Sequence, residues 1–218
     1  VDKGLGYGVN VVAGPSKHFK TSYGLELMSS FQKQYSEGIC IYYDSEFGSI
    51  DVLDNYDIDR TRVLHIPITN IEELKFNAVS LLNSITANDK VFIFTDSVGN
   101  LASVKEFNDA VDEKSVADMT RAKMLKGFFR IVTPLIKLKK VYTYFIAHTY
   151  DTQEMFSKKV VSGGTGITYS ADTVIIVGKS QEKDGTDLAG FKFTLNIDKS
   201  RSIKEKSKLP IIATFDRG

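Results

Sequence analysis

Eight consecutive residues, Gly14-Pro15-Ser16-Lys17-His18-Phe19-Lys20-Thr21, have the types and the spacing to handle phosphate. A phosphate-binding loop needs Gly, four free residues, a second Gly, Lys, and then Ser or Thr. Its wide turn aims successive backbone N–H groups at phosphate oxygens, and the helix that follows adds its positive end. Lys20 would neutralise the β- and γ-phosphates of a nucleoside triphosphate, and the Thr21 hydroxyl would ligate Mg²⁺. Phe19 stands where the second glycine belongs. Right-handed backbone geometry is expected there, since only a positive φ would demand glycine. By itself the stretch is equally well explained as a chance glycine-rich turn.

Two acidic residues strengthen the phosphate reading. Asp96, followed by Ser97, ends the apolar run Val91-Phe92-Ile93-Phe94-Thr95 and fits the carboxylate that holds Mg²⁺ through water. Glu46 stands just past another apolar run, Ile39 to Tyr43, and could polarise a water for in-line attack on a γ-phosphate. Each is weak alone, because core strands often end in Asp and loop carboxylates are often merely solvated. Both beside one phosphate loop are much harder to obtain by accident. His148 ends a further apolar run and could report loss of the γ-phosphate, although a structural histidine accounts for it nearly as well. His18 and His65 have no metal-ligand spacing with Cys or carboxylate. Lys199 and Arg201 lie two apart on one strand face and precede Lys204, Lys206 and Lys208; the residues alone read as a solvated basic edge.

Strands and helices must bring these residues together. Val9 to Ala13 predicts a strand running into the loop, and Leu25, Met28, Phe31 and Tyr35 recur at helical spacing after it, with Gly38 as the stop. Ile39 to Tyr43 has the continuous apolar pattern of a strand buried on both faces of a parallel sheet. Residues 49 to 61 are a polar connection, Val63 to Ile66 is a strand that Pro67 breaks, and Ile71, Leu74, Ala78, Leu81 or Leu82, and Ile85 mark a helix. Strands follow at Val91 to Thr95 and Val141 to Ala147. Between them come a polar stretch over 98–115 and a long helix from about Val116 to Lys139, with apolar positions including Met119 and Phe129 and a kink at Pro134. Thr149 to Gly166 is too long for an ordinary connection. Thr173 to Val177 and Phe191 to Ile197 predict paired strands joined through Asp184-Gly185, and Ile211 to Phe215 the last strand. The order β-α-β-β-α-β-α-β, then strands alone, argues an α/β fold: a doubly wound, mostly parallel sheet with antiparallel strands at its C-terminal end. Ligands bind such sheets outside the carboxyl ends of the strands, where Lys20, Glu46 and Asp96 would meet.

The 218 residues suit one large α/β domain spanning 1–218. Lys and Arg number 28 and Asp and Glu 27, so net charge cannot by itself argue for nucleic acid, and any polyanion site must be a local patch. The one cysteine, Cys40, cannot form an intramolecular disulfide and reads as a small core residue in a reducing compartment. No apolar run is long enough to cross a bilayer and no signal segment stands out, so a soluble, cytoplasmic protein with no membrane partner is expected. Starting at Val1 rather than methionine, the chain reads as the core of a longer protein.

Set side by side, these residues resemble the RecA-like P-loop NTPase core of the RecA-type recombinases, most closely the UvsX branch of T-even-type bacteriophages, which also carries Phe before the loop lysine. The resemblance rests on Gly14 to Thr21, Tyr43-Asp44-Ser45-Glu46-Phe47-Gly48, Asp96-Ser97-Val98-Gly99-Asn100-Leu101-Ala102-Ser103, Asp118 to Lys123, His148 to Lys158, and Gly163-Gly164-Thr165-Gly166. These segments follow the family's order over nearly the whole chain. The resemblance implies Glu46 as the water-activating residue, Asp96 as the Mg²⁺-associated one, and a γ-phosphate-sensing role for His148, where bacterial relatives carry glutamine. It matches residues about 98 to 115 and 150 to 166 to two loops that hold DNA along a filament axis. Lys199 and Arg201 match cations that reach the neighbouring protomer's γ-phosphate. The aromatic residue that stacks on adenine in relatives would fall near Val52 or Leu53, where this chain has none; Tyr56 is nearby but out of register. Relatives also carry an N-terminal segment, ahead of the position where this chain starts, that docks on the next protomer.

The resemblance thus implies ATP-dependent homologous recombination and strand exchange, with ATP and Mg²⁺ bound between protomers and hydrolysis stimulated by DNA. Expected partners are single-stranded and double-stranded DNA, further copies of the chain in helical filaments, and single-strand-binding and mediator proteins. A phage-encoded protein would work in the cytoplasm of the infected host cell. Two alternatives remain: a hexameric helicase-type motor sharing this core, and a nucleotide-dependent switch or scaffold that binds without turnover, for which Phe19 is the best support.

Overall fold

The computed structural model of the chain describes residues 5–48, 50–112, 120–151 and 159–215. Its elements are, in order, β1 (Asn10–Ala13), α1 (Lys20–Gln34), β2 (Ile39–Asp44), two 3₁₀ segments (Ile50–Tyr56 and Arg60–Arg62), β3 (Val63–Pro67), α2 (Ile71–Ser84), β4 (Val91–Asp96), α3 (Val104–Val111), α4 (Thr120–Leu138), β5 (Tyr142–Ala147), β6 (Thr149–Asp151), β7 (Lys159–Val161), α5 (Thr165–Ser170), β8 (Thr173–Asp184), β9 (Asp187–Ser200) and β10 (Lys208–Thr214). One sheet runs β10-β9-β8-β1-β5-β4-β2-β3. Its strands are parallel from β8 to β3 and antiparallel through β8, β9 and β10. This is the expected α/β architecture and is compatible with a RecA-like core.

The central strands are mostly apolar because both faces are covered. Val11, Ile41, Tyr43, Ile93 and Phe145 pack in one core layer with Leu74 and Ala78 of α2 and Phe128, Phe129 and Val132 of α4. The alternate residues Val12, Cys40, Tyr42, Phe92, Phe94 and Tyr144 form the opposite layer with Leu25, Met28 and Phe31 of α1. Side chains alternate between faces with a period of two along a strand, so a run with no polar interruption means two buried faces. Burial pushes the Cys40 thiol up to about 12. At Gly24 the helix lies so close to the sheet that a Cβ would come within 2.8 Å of the Phe94 and Tyr144 rings.

The first five parallel strands begin and end within a residue of expectation. The connections differ more. α1 stops at Gln34, with Tyr35 as its C-cap, rather than at Gly38. The stretch over 98–115 contains a helix, α3, closed at its start by a reciprocal pair: the Ser103 side chain accepts from the Glu106 N–H, and the Glu106 side chain from the Ser103 N–H. The expected order therefore gains α3 before α4 and α5 after β5, where strands alone were anticipated. The long helix is described from Thr120, with Pro134 inside it; Val116 and Met119 lie outside the described residues. Part of Thr149 to Gly166 is an antiparallel hairpin, β6 against β7, whose connecting residues 152–158 also lie outside them. Among the described residues no helix is long and apolar enough to cross a membrane.

Candidate functional site

Strand register sets the site. Asp44 pairs with Asp96 across β2 and β4, and Ala13 with Ala147 across β1 and β5, so these strands end in one row. Gly14, Glu46, Ser97 and His148 therefore leave the sheet at the same edge. A cavity of about 470 Å³ opens there, with Lys20, Thr21, Glu46, Asp96 and His148 in its walls and Ser16 to Phe19 along one side. The residues expected to meet at this edge do meet. Gly14 ties the loop to the sheet through a 3.3 Å hydrogen bond from its N–H to Ala147 O. Inside the loop, the Lys20 ammonium donates to Pro15 O at 2.8 Å.

Phe19 corrects one expectation. Its backbone is left-handed, with φ 61° and ψ 15°, and it is the N-cap of α1. The turn that delivers Lys20 to the helix start holds this residue in the left-handed region that glycine enters without strain. Such a backbone costs a non-glycine residue roughly 1–2 kcal/mol. The Phe19 ring stacks on Phe193 of β9, with centroids 5.0 Å apart and planes at 21°. The β8–β9 ribbon rises beside the loop to make this contact, and Lys179 of β8 lies 3.7 Å above the neighbouring Phe191 ring.

Thr21 Oγ1 donates to Asp96 Oδ2 at 2.6 Å. Burial pushes the Asp96 carboxyl up to about 6; the Thr21 hydrogen bond and Lys20 pull it back, while Glu46 and Asp44 add to the rise. Burial likewise lowers Lys20, against the attraction of Asp96 and Glu46. A hydroxyl beside a buried carboxylate is an oxygen donor set of the kind Mg²⁺ takes when phosphates and water complete its shell. The excess desolvation at Asp96 is what a bound cation would relieve, so these residues fit the ion. No group of three or more His, Cys, Asp or Glu among the described residues could hold a metal by itself.

Glu46 is held from several sides. Asp44 Oδ1 accepts from the N–H groups of Glu46 and Phe47, both at 2.9 Å, and Asp44 Oδ2 lies 3.0 Å from His65 Nε2. Ser97 Oγ donates to Glu46 Oε1 at 3.1 Å, and Asn100 Nδ2 donates to the same oxygen. Ser45 Oγ bridges the two strand ends through the Ser97 N–H and C=O, each at 2.9 Å. His148 Nε2 stands 4.0 Å from Glu46 Oε1. Burial, and then Lys20, lower the His148 pKa, with Glu46 opposing. Sequence reasoning missed Asp44, Ser45 and Asn100 as members of the site. Asp two residues before the functional carboxylate is an Asx-turn signal that was available for Asp44. Asn100 reaches Glu46 across 54 residues, and no local pattern announces it.

Lys199 and Arg201 do not line the cavity of their own chain. Lys199 pairs with Val174, and Val174 with Val11, so Arg201 lies toward the amino ends of these strands. Lys199 Nζ donates to Thr168 O at 2.8 Å and Tyr169 O at 3.3 Å, near the end of α5. Arg201 Nε lies 3.2 Å from Asp172 Oδ1, a carboxylate shared with Lys137. Val52 borders the cavity, while Leu53 and Tyr56 pack in the core layer beneath α1.

No protein-family model matches the chain. A protein described as "Recombination and repair protein" from Enterobacteria phage T4 is 51% identical to it over 216 residues. The match covers 99% of this chain and 55% of that protein, so the chain spans about half the length of the curated relative.

Proposed function

We propose that this chain is the ATP-hydrolysing core of a RecA-type recombination and repair protein, related to the UvsX branch. The observation that carries the reading is the convergence of Lys20, Thr21, Asp96, Glu46 and His148, drawn from four places in the chain, on one cavity beside a phosphate-type loop. Similarity to the phage recombination and repair protein supports the biological role.

In this reading the loop N–H groups and the start of α1 receive the β- and γ-phosphates of ATP, and Lys20 exchanges Pro15 O for them. Bound Mg²⁺ supplies charge neutralisation at those phosphates. Thr21 and Asp96 are the residues that would hold the ion. Glu46 orients a water and takes its proton as the water oxygen bonds to the γ-phosphorus; the bond to the β,γ-bridging oxygen breaks and ADP leaves. His148, favoured as neutral imidazole and placed directly before β6, relays the state of the γ-phosphate to the β6–β7 hairpin. That hairpin and the stretch over 98–115 hold single-stranded DNA, chiefly through phosphate contacts, and filaments so formed take up double-stranded DNA for strand exchange. Lys199 and Arg201 act on the nucleotide of the adjoining protomer in the filament, since they stand away from their own. Single-strand-binding and mediator proteins are further partners, in the cytoplasm of the infected host cell.

A switch without turnover drew its support from Phe19. Phe19 takes a left-handed backbone of the kind open to glycine, so its presence does not by itself argue against a working phosphate loop. The test is ATP hydrolysis by full-length protein with single-stranded DNA: Glu46→Gln should lose turnover while still binding ATP, and turnover at the parent rate would remove the catalytic assignment.

A further inference from the structure

We propose that Asn100 is a positioning residue for Glu46, and that through it the segment following β4 sets the rate of ATP hydrolysis. The inference rests on the reading of Glu46 as the group that takes the water proton.

Glu46 needs such help. Its side chain is 44% exposed and stands on a turn whose backbone, not its carboxylate, is fixed by Asp44. Left alone, a glutamate in that setting samples several rotamers, and ordering it is entropically unfavourable. Two neutral donors remove the freedom. Ser97 Oγ and the Asn100 amide both reach Oε1, the oxygen nearest His148, which leaves Oε2 for the water proton. Neither donor takes the proton in place of Glu46.

Asn100 is in turn fixed by its neighbours. Arg121 of α4 donates from Nε to Leu101 O at 3.0 Å and from Nη2 to Gly99 O, gripping the backbone on either side of Asn100. On the opposite side Gly99 lies against His148, where a Cβ would come within 2.8 Å of ring Cδ2 and 3.2 Å of the His148 N–H nitrogen. Residues 99–101 are thus wedged between α4 and His148, and their amide side chain ends on Glu46. Anything that shifts this wedge moves the hydrogen bond to the carboxylate. The same wedge opens the stretch over 98–115, so DNA bound there would reach Glu46 through one side chain.

The experiment is steady-state ATP hydrolysis by the full-length protein, with and without single-stranded DNA, for Asn100→Ala, Asn100→Asp and Glu46→Gln. Asn100→Ala is expected to lower kcat about tenfold or more, the loss that accompanies removal of a hydrogen bond to a charged group. KM for ATP should stay within about twofold, because the phosphate loop is untouched. Asn100→Asp keeps the shape but cannot donate and sets a second carboxylate beside the first, so it should fall at least as far. An Asn100→Asp protein with the parent kcat would mean that the side chain only fills space, and would overturn the proposal. Parent kcat in Asn100→Ala beside an inactive Glu46→Gln overturns the role of Asn100 alone; an active Glu46→Gln overturns the base assignment beneath it. Arg121→Ala should lower kcat in the same direction and add little on top of Asn100→Ala, whereas full additivity would break the link from α4 to the amide.

Discussion

Phe19 offers a test in which two opposing effects separate. Its backbone sits at φ 61°, and its half-buried ring stacks on Phe193 at 5.0 Å. Burying a Phe fully is worth about 1.5–3 kcal/mol and an aromatic pair adds about 0.5–1.5, so the half-buried ring contributes about 2 kcal/mol. Holding a side chain at this φ costs about 1–2 kcal/mol. Phe19→Ala loses the ring and keeps the strain, and should destabilise the chain by about 2 kcal/mol. Phe19→Gly loses the ring but relieves the strain; after about 0.5–1 kcal/mol for the greater freedom of unfolded glycine, it should be less harmful than alanine by about 0.5–1 kcal/mol. Urea denaturation without nucleotide gives the order directly: parent, then Gly, then Ala. In a Phe193→Ala background the Ala substitution should cost less by the pair energy, about 1 kcal/mol. An alanine variant as stable as the glycine variant, or more so, would refute the left-handed turn.

Other expectations follow from the same edge of the sheet. Asp96→Asn should stabilise the nucleotide-free, EDTA-treated protein at pH 7.5 by up to about 3 kcal/mol, because the carboxyl is raised from 3.8 to about 6. A raised carboxyl contributes its stability below pH 3.8 and loses it as pH rises through about 6, so the advantage of Asn should vanish near pH 4 in denaturant titrations. The same variant should lose Mg²⁺-dependent ATP binding, by calorimetry. Lys199→Ala filaments should lose turnover and regain part of it when mixed with Lys20→Ala subunits, since each supplies what its neighbour lacks; failure of intact mixed filaments to recover would count against action across the interface.

The fold was legible where burial dictates composition. Runs such as Ile39 to Tyr43 and Val91 to Phe94 carry no charged or amide residue because helices cover both faces, and their ends fix the edge where ligands bind. The edge residues Glu46, Asp96 and His148 were therefore readable as strand ends. Helix α3 was not read, although Ser103 and Glu106 spell a capping box, because the glycine, asparagine and scattered charge around them look like loop. Phe19 misled because the turn sets φ and the residue only tolerates it. Asn100, Arg121 and Phe193 were invisible for a different reason: their roles are contacts between distant segments, and spacing records only local periodicity.

Everything rests on the cavity at the strand ends being a site of DNA-stimulated ATP turnover. The most direct measurement is the rate of ATP hydrolysis by the full-length protein with Mg²⁺, before and after adding single-stranded DNA, beside a Lys20→Ala control. Slow turnover that rises on adding DNA and is lost in Lys20→Ala is the expected result. Turnover undiminished in Lys20→Ala, or ATP binding with no hydrolysis at saturating DNA, would contradict it.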